Sequence, residues 1–459
     1  MSSEKRVHLV GIGGSGMSGL ATVLLAKGAS VSGSDLEENA HTIGLRSAGV
    51  RIDIGQHDAR RIRPDLDRVI VSSAVTDQNA EVLAANAHRI PVVRRLEAVA
   101  GLLQDHRSIG VAGTHGKTTT SAMASTILDA CGRDPSYLIG AHCPGLGGNA
   151  RLGRGDWFVA EIDESDGLLV SVETDVSILT NVGRDHLQTY ADLEAICRVF
   201  AEYVERSRHA VLAIDDPHAR AIAETHPGAL TVGLHKDARL RAENLRFDRF
   251  ETTFDLVSED ARVDGVVLPA PGAHNVRNAL CAVGAAFLAG VDLRDAAWAL
   301  RRFVLPHRRF ELLEENGVTV VDDYAHLPEE IEATLDAVRS GWPDRRILVV
   351  FQPHRYSRTQ AIGSEFGRAF SLADTVIVTP IYPACEAPIA GVTSQIVVDA
   401  VSRETRAEVR STEGVGEAIE LLKSSILPGD FILSFGAGDV WRVTERLASF
   451  LIAGQFCIA

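Results

Sequence analysis

Two stretches of this chain make the same demand on the backbone. VHLVGIGGSGMSGL (7–20) and SIGVAGTHGKTTTS (108–121) each pass from an apolar run of strand length, through a cluster of glycines, into a segment of helical period. Glycine lets a backbone turn sharply and approach a bound group, and the N–H groups at a helix start attract anions. A strand, a glycine turn and a helix form the opening of a nucleotide-binding α/β unit, and two such openings predict two separate units.

The remainder of the chain carries the same alternation. Strand candidates before the second opening are HLVGI (8–12), ASVSG (29–33), RVIVSS (68–73) and PVV (91–93), and a polar stretch, LLQDHRS (102–108), reads as a boundary. WFVAEI (157–162), VSILTN (176–181) and HAVLAI (209–214) follow, with a long apolar helix at 274–290. After a break near FVLPHRRFELL come VTVVDDY, RILVVF, DTVIVTP, AEVRST and FILSFG, with helices between them. The pattern predicts an α/β protein with mostly parallel sheets. At about 150 residues per domain, 459 residues allow roughly three domains.

Bulk properties exclude several classes. A net charge of −15, from 46 basic and 61 acidic residues, opposes nonspecific binding to nucleic acid or anionic membrane. The longest uncharged apolar run, ALCAVGAAFLAGV (279–291), has the length of a buried helix. The start of the chain has no signal-peptide core, so a soluble, cytoplasmic protein is expected. The six cysteines (131, 143, 197, 281, 385, 457) lack C-x-x-C spacing and read as buried small apolar residues.

In the first turn Gly11, Gly13 and Gly16 fit G-x-G-x-x-G, and Asp35 lies about 20 residues on, where a carboxylate can take a ribose hydroxyl. Such a turn serves NAD or any other nucleotide diphosphate, and a tight turn without ligand is the bland alternative. The second turn departs from strict G-x-x-x-x-G-K-[ST], because Val111 stands where the first glycine belongs. Its core still predicts a phosphate loop for ATP or GTP, with Lys117 near the transferred phosphate and the Thr118 hydroxyl on magnesium. No other lysine follows until Lys236, which argues against surface decoration.

Acidic and polar clusters end several predicted strands. In FVAEIDESD (158–166) Glu161 is the most strand-embedded candidate for magnesium, while Glu164 and Asp166 read as a solvated loop. Asp185 and His186 follow another strand; a lone histidine is more often structural, but its place at a strand end in the same sheet favours a metal ligand. Asn275 and Asn278 share a helix face, suited either to an adenine edge or to capping. Asp322, Asp323, Tyr324 and His326 precede a helix expected to begin at Pro328, with Glu329 and Glu330 in its first turn. His354, Arg355 and Arg358 repeat the arrangement, the arginines spaced to grip one anion, and PHRRF (306–310) adds further basic groups.

In order along nearly the whole chain, GIGGSGMS, SGSD, VSSAV, GTHGKTTT, AEIDESD, TN followed by DH, GAHNVRNAL, RRF, DDYAH, QPHRYSRT, CEAPI and GAGD resemble the Mur ligase family, most closely its UDP-N-acetylmuramate:L-alanine branch. The resemblance implies three domains: a Rossmann-like UDP-sugar domain (1–105), a central P-loop ATPase-type parallel sheet for ATP (106–312), and a Rossmann-like amino-acid domain (313–459). It implies a cytoplasmic, ATP-dependent ligase of peptidoglycan precursor synthesis, using UDP-N-acetylmuramate, L-alanine and ATP with magnesium. The carboxylate is first phosphorylated to an acyl phosphate, which the amine then attacks. No nucleic acid or membrane partner is expected, and the protein is a monomer or homodimer.

The same resemblance assigns roles. The first turn (Gly11, Gly13, Gly14, Ser15, Gly16, Met17) takes the UDP diphosphate rather than NAD, with Ser34, Asp35, Ser72 and Ser73 along the uridine side. Gly113, Thr114, His115, Gly116, Lys117, Thr118 and Thr119 surround the ATP phosphates; Thr118 and Glu161 hold magnesium, and His186 a second ion. Asn275 and Asn278 face adenine, while Arg309, Asp323, Arg355 and Arg358 close on the nucleotide and acyl group. His326 lies near the incoming amine as candidate base. Three departures from the family pattern stand out: Leu327 replaces a histidine, Gly183-Arg184 precedes Asp185-His186, and Cys385 replaces a glycine. They keep open a related ligase with another amino acid or a peptide as acceptor. A nicotinamide oxidoreductase leaves the second turn idle, and a P-loop switch leaves the third-domain clusters idle.

Overall fold

Apolar runs flanked by glycine or polar turns resolve into three sheets, and the structure, a computed structural model, describes residues 6–165, 167–185, 189–315 and 317–452. The first sheet has five strands in the spatial order Arg51–Ile54, Ser30–Asp35, Arg6–Val10, Arg68–Val71, Val92–Arg94, all parallel. Its central strand is covered on both faces, Val7, Leu9 and Val10 being fully buried, as expected of a parallel sheet between helices.

The second sheet has ten strands. Its parallel centre runs His209–Ala213, Val176–Leu179, Arg107–Ala112, Trp157–Glu161, Ser136–Cys143, and Gly148–Arg151 closes one edge antiparallel. Leu230–Gly233, Leu240–Asp248, Glu251–Ser258 and Arg262–Leu268 extend the other edge. The third sheet is ordered Glu311–Glu315, Thr319–Asp323, Phe431–Phe435, Ile347–Phe351, Thr375–Val378, Glu408–Ser411, with only the first of these antiparallel to its neighbour. The protein is therefore a three-domain α/β chain with sheets that are mainly parallel.

The fully buried strands coincide with the apolar runs, whereas a strand of mixed polarity has no such signal even inside the sheet. Leu240–Asp248 alternates buried and half-exposed positions and carries charges throughout, so no apolar run marks it. The stretch 102–108 is not a free linker: the helix Arg95–Leu103 includes its first residues, Leu102 and Leu103 are buried, and the next strand starts at Arg107.

By its contacts the chain divides into two compact units. One comprises residues 1–245, 253–269 and 275–304, and the other 246–252, 270–274 and 305–459. The first unit contains the first sheet and nearly all of the second. A single hydrophobic cluster runs from Leu9, Leu20 and Leu96 to Leu138, Phe158 and Leu179. The helix Ser15–Ala26 lies against Ser136–Cys143: a Cβ on Gly19 would come within 2.6 Å of Leu138 Cδ1, and Asn149 Nδ2 donates to the Ser15 carbonyl at 2.8 Å. The second unit has its own core around Val321, Leu335, Phe351, Phe370 and Phe431.

Candidate active site

The second glycine turn joins a buried strand to the helix Lys117–Ala130. Gly113 and Gly116 have φ of +130° and +80°, and side chains at these positions would collide with Thr180 Oγ1 and Asn278 Oδ1. The loop is pinned to the neighbouring strand end: Thr114 and His115 donate backbone N–H groups to the carbonyl and side chain of Asn181, and Thr180 Oγ1 donates to the His115 carbonyl. Gly183 donates its N–H to Thr114 Oγ1 at 2.7 Å, so one of the departures from the family pattern is part of the loop's frame.

Lys117 turns back over this loop. Its Nζ donates to the carbonyls of Gly113 (2.6 Å) and Thr114 (3.2 Å) and to both carboxylate oxygens of Glu164 (2.9 and 3.1 Å). Burial by itself pushes the ammonium's pKa down, but Glu164, Asp163 and Glu161 outweigh it and hold the group above its ordinary value. Glu164 is not the solvated loop residue expected from sequence. It is 2% exposed, and Tyr190 donates its hydroxyl to the Glu164 carbonyl. A carboxylate can be buried here because an ammonium is buried with it.

Glu161, at the end of its strand, receives the Thr118 hydroxyl at 2.9 Å and the Gly140 N–H at 2.8 Å. Two oxygen side chains meeting beside the second glycine turn are the donor type a hard divalent cation takes. Among the described residues no group of three or more His, Cys, Asp or Glu could hold a metal ion. His186, expected as a ligand for a second ion, lies outside the described residues, as does Asp166. Asn275 and Asn278 sit within the helix Ala273–Leu288 rather than at its cap, 3.5 Å apart, with Asn278 against Gly116. The capping alternative is thereby set aside.

The first glycine turn is held by the end of the adjacent strand. The Ser34 carbonyl accepts the N–H groups of Gly11 (2.9 Å) and Ile12 (3.0 Å), and Asp35 Oδ2 accepts that of Gly13 (2.7 Å). Asp35 Oδ1 accepts from Leu36 N–H at 2.8 Å and from Glu37 N–H at 3.5 Å, so the carboxylate acts as a clamp on the turn. Ser34, expected along the uridine side, is fully buried and donates its hydroxyl to Glu81 at 2.6 Å. Sequence reading missed Glu81 because it sits in the first turn of the helix Ala80–Ala87, where an acid is ordinary, with no motif to mark it. It also receives Arg61 (3.0 Å) and lies 3.1 Å from each of His8 Nε2 and His57 Nδ1. Burial raises its pKa, yet the hydrogen bonds from His8, Ser34 and His57 prevail and bring it to about 2.

A cavity of about 260 Å³ within this unit runs from the first turn to Glu161, the carboxylate that receives the Thr118 hydroxyl. Gly14, Gly16, Ser72 and Ser73 line one part, Gly140 and Glu161 another.

In the second unit the clusters expected to share a cleft do gather. The helix Pro328–Gly341 begins at Pro328 with Glu329 and Glu330 in its first turn. His326 lies 5.8 Å, ring to ring, from His354, which stacks on Tyr382, and Arg358 Nη1 is 3.1 Å from His354 Nδ1. An arginine only donates, so His354 Nδ1 carries the lone pair. His326 Nδ1 lies 3.1 Å from the Tyr324 carbonyl and 3.4 Å from Glu330 Oε2, both of which only accept, so this nitrogen carries a proton. Arg309 lies over the Tyr324 ring, and Arg355 (φ +69°) donates its N–H to the Tyr382 carbonyl. Asp323, expected to close on the nucleotide, is buried and accepts N–H groups from Phe310 and Ala325. Desolvation raises its pKa to about 6 against the pull of Arg309 and these two donors. Leu327 is buried in the core, and Cys385 has a φ of +69°, which a glycine adopts without strain.

Three family models match the chain in order: "Mur ligase family, catalytic domain" at 6–107, "Mur ligase middle domain" at 111–286 and "Mur ligase, glutamate ligase domain" at 308–438. The UDP-N-acetylmuramate–L-alanine ligase of Geobacter sp. (strain M21) is 42% identical over 456 residues, 98% of each chain. That of Rubrobacter xylanophilus is 43% identical over 453 residues, 97% of this chain and 100% of its own. Among solved structures, the UDP-N-acetylmuramate-alanine ligase of Thermotoga maritima superposes with a TM-score of 0.84 at 30% identity, covering 98% of this chain and 99% of its own. A murein peptide ligase from Psychrobacter arcticus shares the fold, with a TM-score of 0.71 at 24% identity over 97% of this chain and 98% of its own.

Proposed function

The chain belongs to the Mur ligase family, and from that premise we propose how it works as an ATP-dependent ligase joining L-alanine to the carboxylate of UDP-N-acetylmuramate. The observation that carries the mechanism is the cavity running from Gly14 and Gly16 to Glu161: it lets a nucleotide sugar held at the first turn extend its acid toward the phosphate loop.

The UDP diphosphate lies at the start of the helix Ser15–Ala26, whose amide dipoles favour an anion. ATP lies on the 113–119 loop, with Lys117 beside the transferred phosphoryl group and Asn275 and Asn278 toward adenine. Magnesium, held by Thr118 and Glu161, supplies charge neutralisation when bound. A muramate carboxylate oxygen attacks the γ-phosphorus and ADP departs. The acyl phosphate so formed gives the amine a leaving group that a free acid lacks. The amine of L-alanine attacks the acyl carbon, phosphate is expelled, and His326 Nε2 takes the proton released from nitrogen. Arg309, Arg355 and Arg358 hold the anionic groups of this step.

We assign residues 1–105 to the UDP-sugar domain, 106–312 to the ATP domain and 313–459 to the amino-acid domain. The enzyme is placed in the cytoplasm, where its nucleotide substrates are found; no helix among the described residues is long and apolar enough to cross a membrane. The test is phosphate release from purified protein with ATP, magnesium and UDP-N-acetylmuramate, each amino acid being offered in turn and the product weighed. A new amide with L-alanine is expected; turnover only with another acceptor overturns the substrate assignment and leaves the ligase mechanism standing.

A further inference from the structure

Arg95 is the first residue of the helix Arg95–Leu103, directly after the strand Val92–Arg94. Its side chain is 12% exposed and lines the cavity that runs from the first glycine turn to Glu161. One arm, Nη2, lies 3.0 Å from Asp163 Oδ2. The other lies on the first glycine turn: a Cβ on Gly16 would come within 2.9 Å of Nη1. The guanidinium therefore rests directly against the third glycine of G-x-G-x-x-G.

This placement is electrostatically odd. Gly16 is in the first turn of the helix Ser15–Ala26, the positive end of its dipole, and that turn contains no acidic residue. A guanidinium and a helix N-terminus repel each other unless an anion lies between them. The amides of Gly11, Ile12, Gly13 and Gly14 already serve the turn's own hydrogen bonds. The donors a helix leaves without an intrahelical partner are those of its first turn. Arg95 adds a fork of N–H groups on the same side, matched to phosphate oxygens.

We propose that Arg95 is a substrate-binding residue, gripping the diphosphate of the nucleotide sugar together with the N-terminal turn of Ser15–Ala26, and that Asp163 is its resting counter-ion. The inference rests on the reading of that turn as the UDP site. In the liganded enzyme the phosphate oxygens compete with Asp163 for the guanidinium, so the two partners of one ion pair have opposite effects on binding.

The test measures binding of UDP, UDP-N-acetylmuramate and uridine to the whole chain by calorimetry. Arg95→Met weakens both diphosphates at least tenfold and leaves uridine, which has no phosphate, within twofold. Arg95→Lys, which keeps the charge without the fork, falls between, and Asp163→Asn tightens UDP a few-fold. Equal losses for uridine and UDP, or weakening of UDP by Asp163→Asn, overturn the assignment in favour of a structural ion pair. Wild-type protein that binds no UDP overturns the reading of the turn and the role of Arg95 together. Wild-type binding with unchanged affinity in both Arg95 variants overturns the role of Arg95 alone.

Discussion

Lys117 Nζ lies 2.9 Å from Glu164 Oε2 in the interior of the first unit, where ammonium and carboxylate are both largely shielded from water. The lysine we propose to neutralise the phosphoryl group is thus held in place by the carboxylate of Glu164. Glu164→Gln removes that counter-ion and keeps the shape. We expect kcat to fall roughly tenfold, less than the 10²-fold that a misplaced group can cost, with UDP binding unchanged. Lys117→Met is expected to lose about 10² to 10³-fold in kcat, as when a preorganised charge-stabilising donor is removed. Steady-state kinetics of phosphate release check both.

Gly116 combines a φ of +80° with an absence of room, since a Cβ there would lie 2.4 Å from Asn278 Oδ1. Gly116→Ala therefore costs roughly 1–2 kcal/mol for the left-handed backbone, and displaces Asn278 in addition. Thermal unfolding should show the loss of stability. Binding of ATP should weaken further than in Gly132→Ala, a left-handed glycine with open space around it.

Glu81 links the first sheet to pH. Its folded pKa of about 2 lies below the ordinary value of 4.5, so it contributes stability that is fully present above about 4.5 and is lost as the pH falls toward 2. Glu81→Gln is expected to flatten this acid limb in denaturant titrations at stepped pH. Glu81→Ala, which strands the buried partners, should cost about 3–5 kcal/mol near neutrality.

Asp323 has the opposite sign. Its folded pKa of about 6 lies above the ordinary 3.8, so the folded state binds more protons between those values, and the wild type gains stability relative to Asp323→Asn as the pH falls through that window. Chemical denaturation of both proteins from pH 7 to 4 measures the difference. A constant gap would contradict the assignment of the titration to Asp323.

Local order was legible from sequence because it depends on neighbours along the chain. Apolar runs such as Ile347–Phe351 and Phe431–Phe435 must be buried on both faces, glycine clusters before helices must be turns, and Pro328 with two acids must open a helix. These features determined the α/β class, the glycine turn that opens the helix at Lys117 and the strand-end position of Glu161. What the sequence could not decide depends on groups far apart in the chain sharing one low-dielectric volume. Glu164 reads as a loop acid until Lys117 is found against it; Ser34 is expected along the uridine side until its hydroxyl is found on buried Glu81. Arg95 belongs to no motif, and only the fold sets it against Gly16 and Asp163. A charge in water costs nothing to place, so its sequence position says little. Only packing that removes the water makes its partner obligatory, and that packing is set by the tertiary fold.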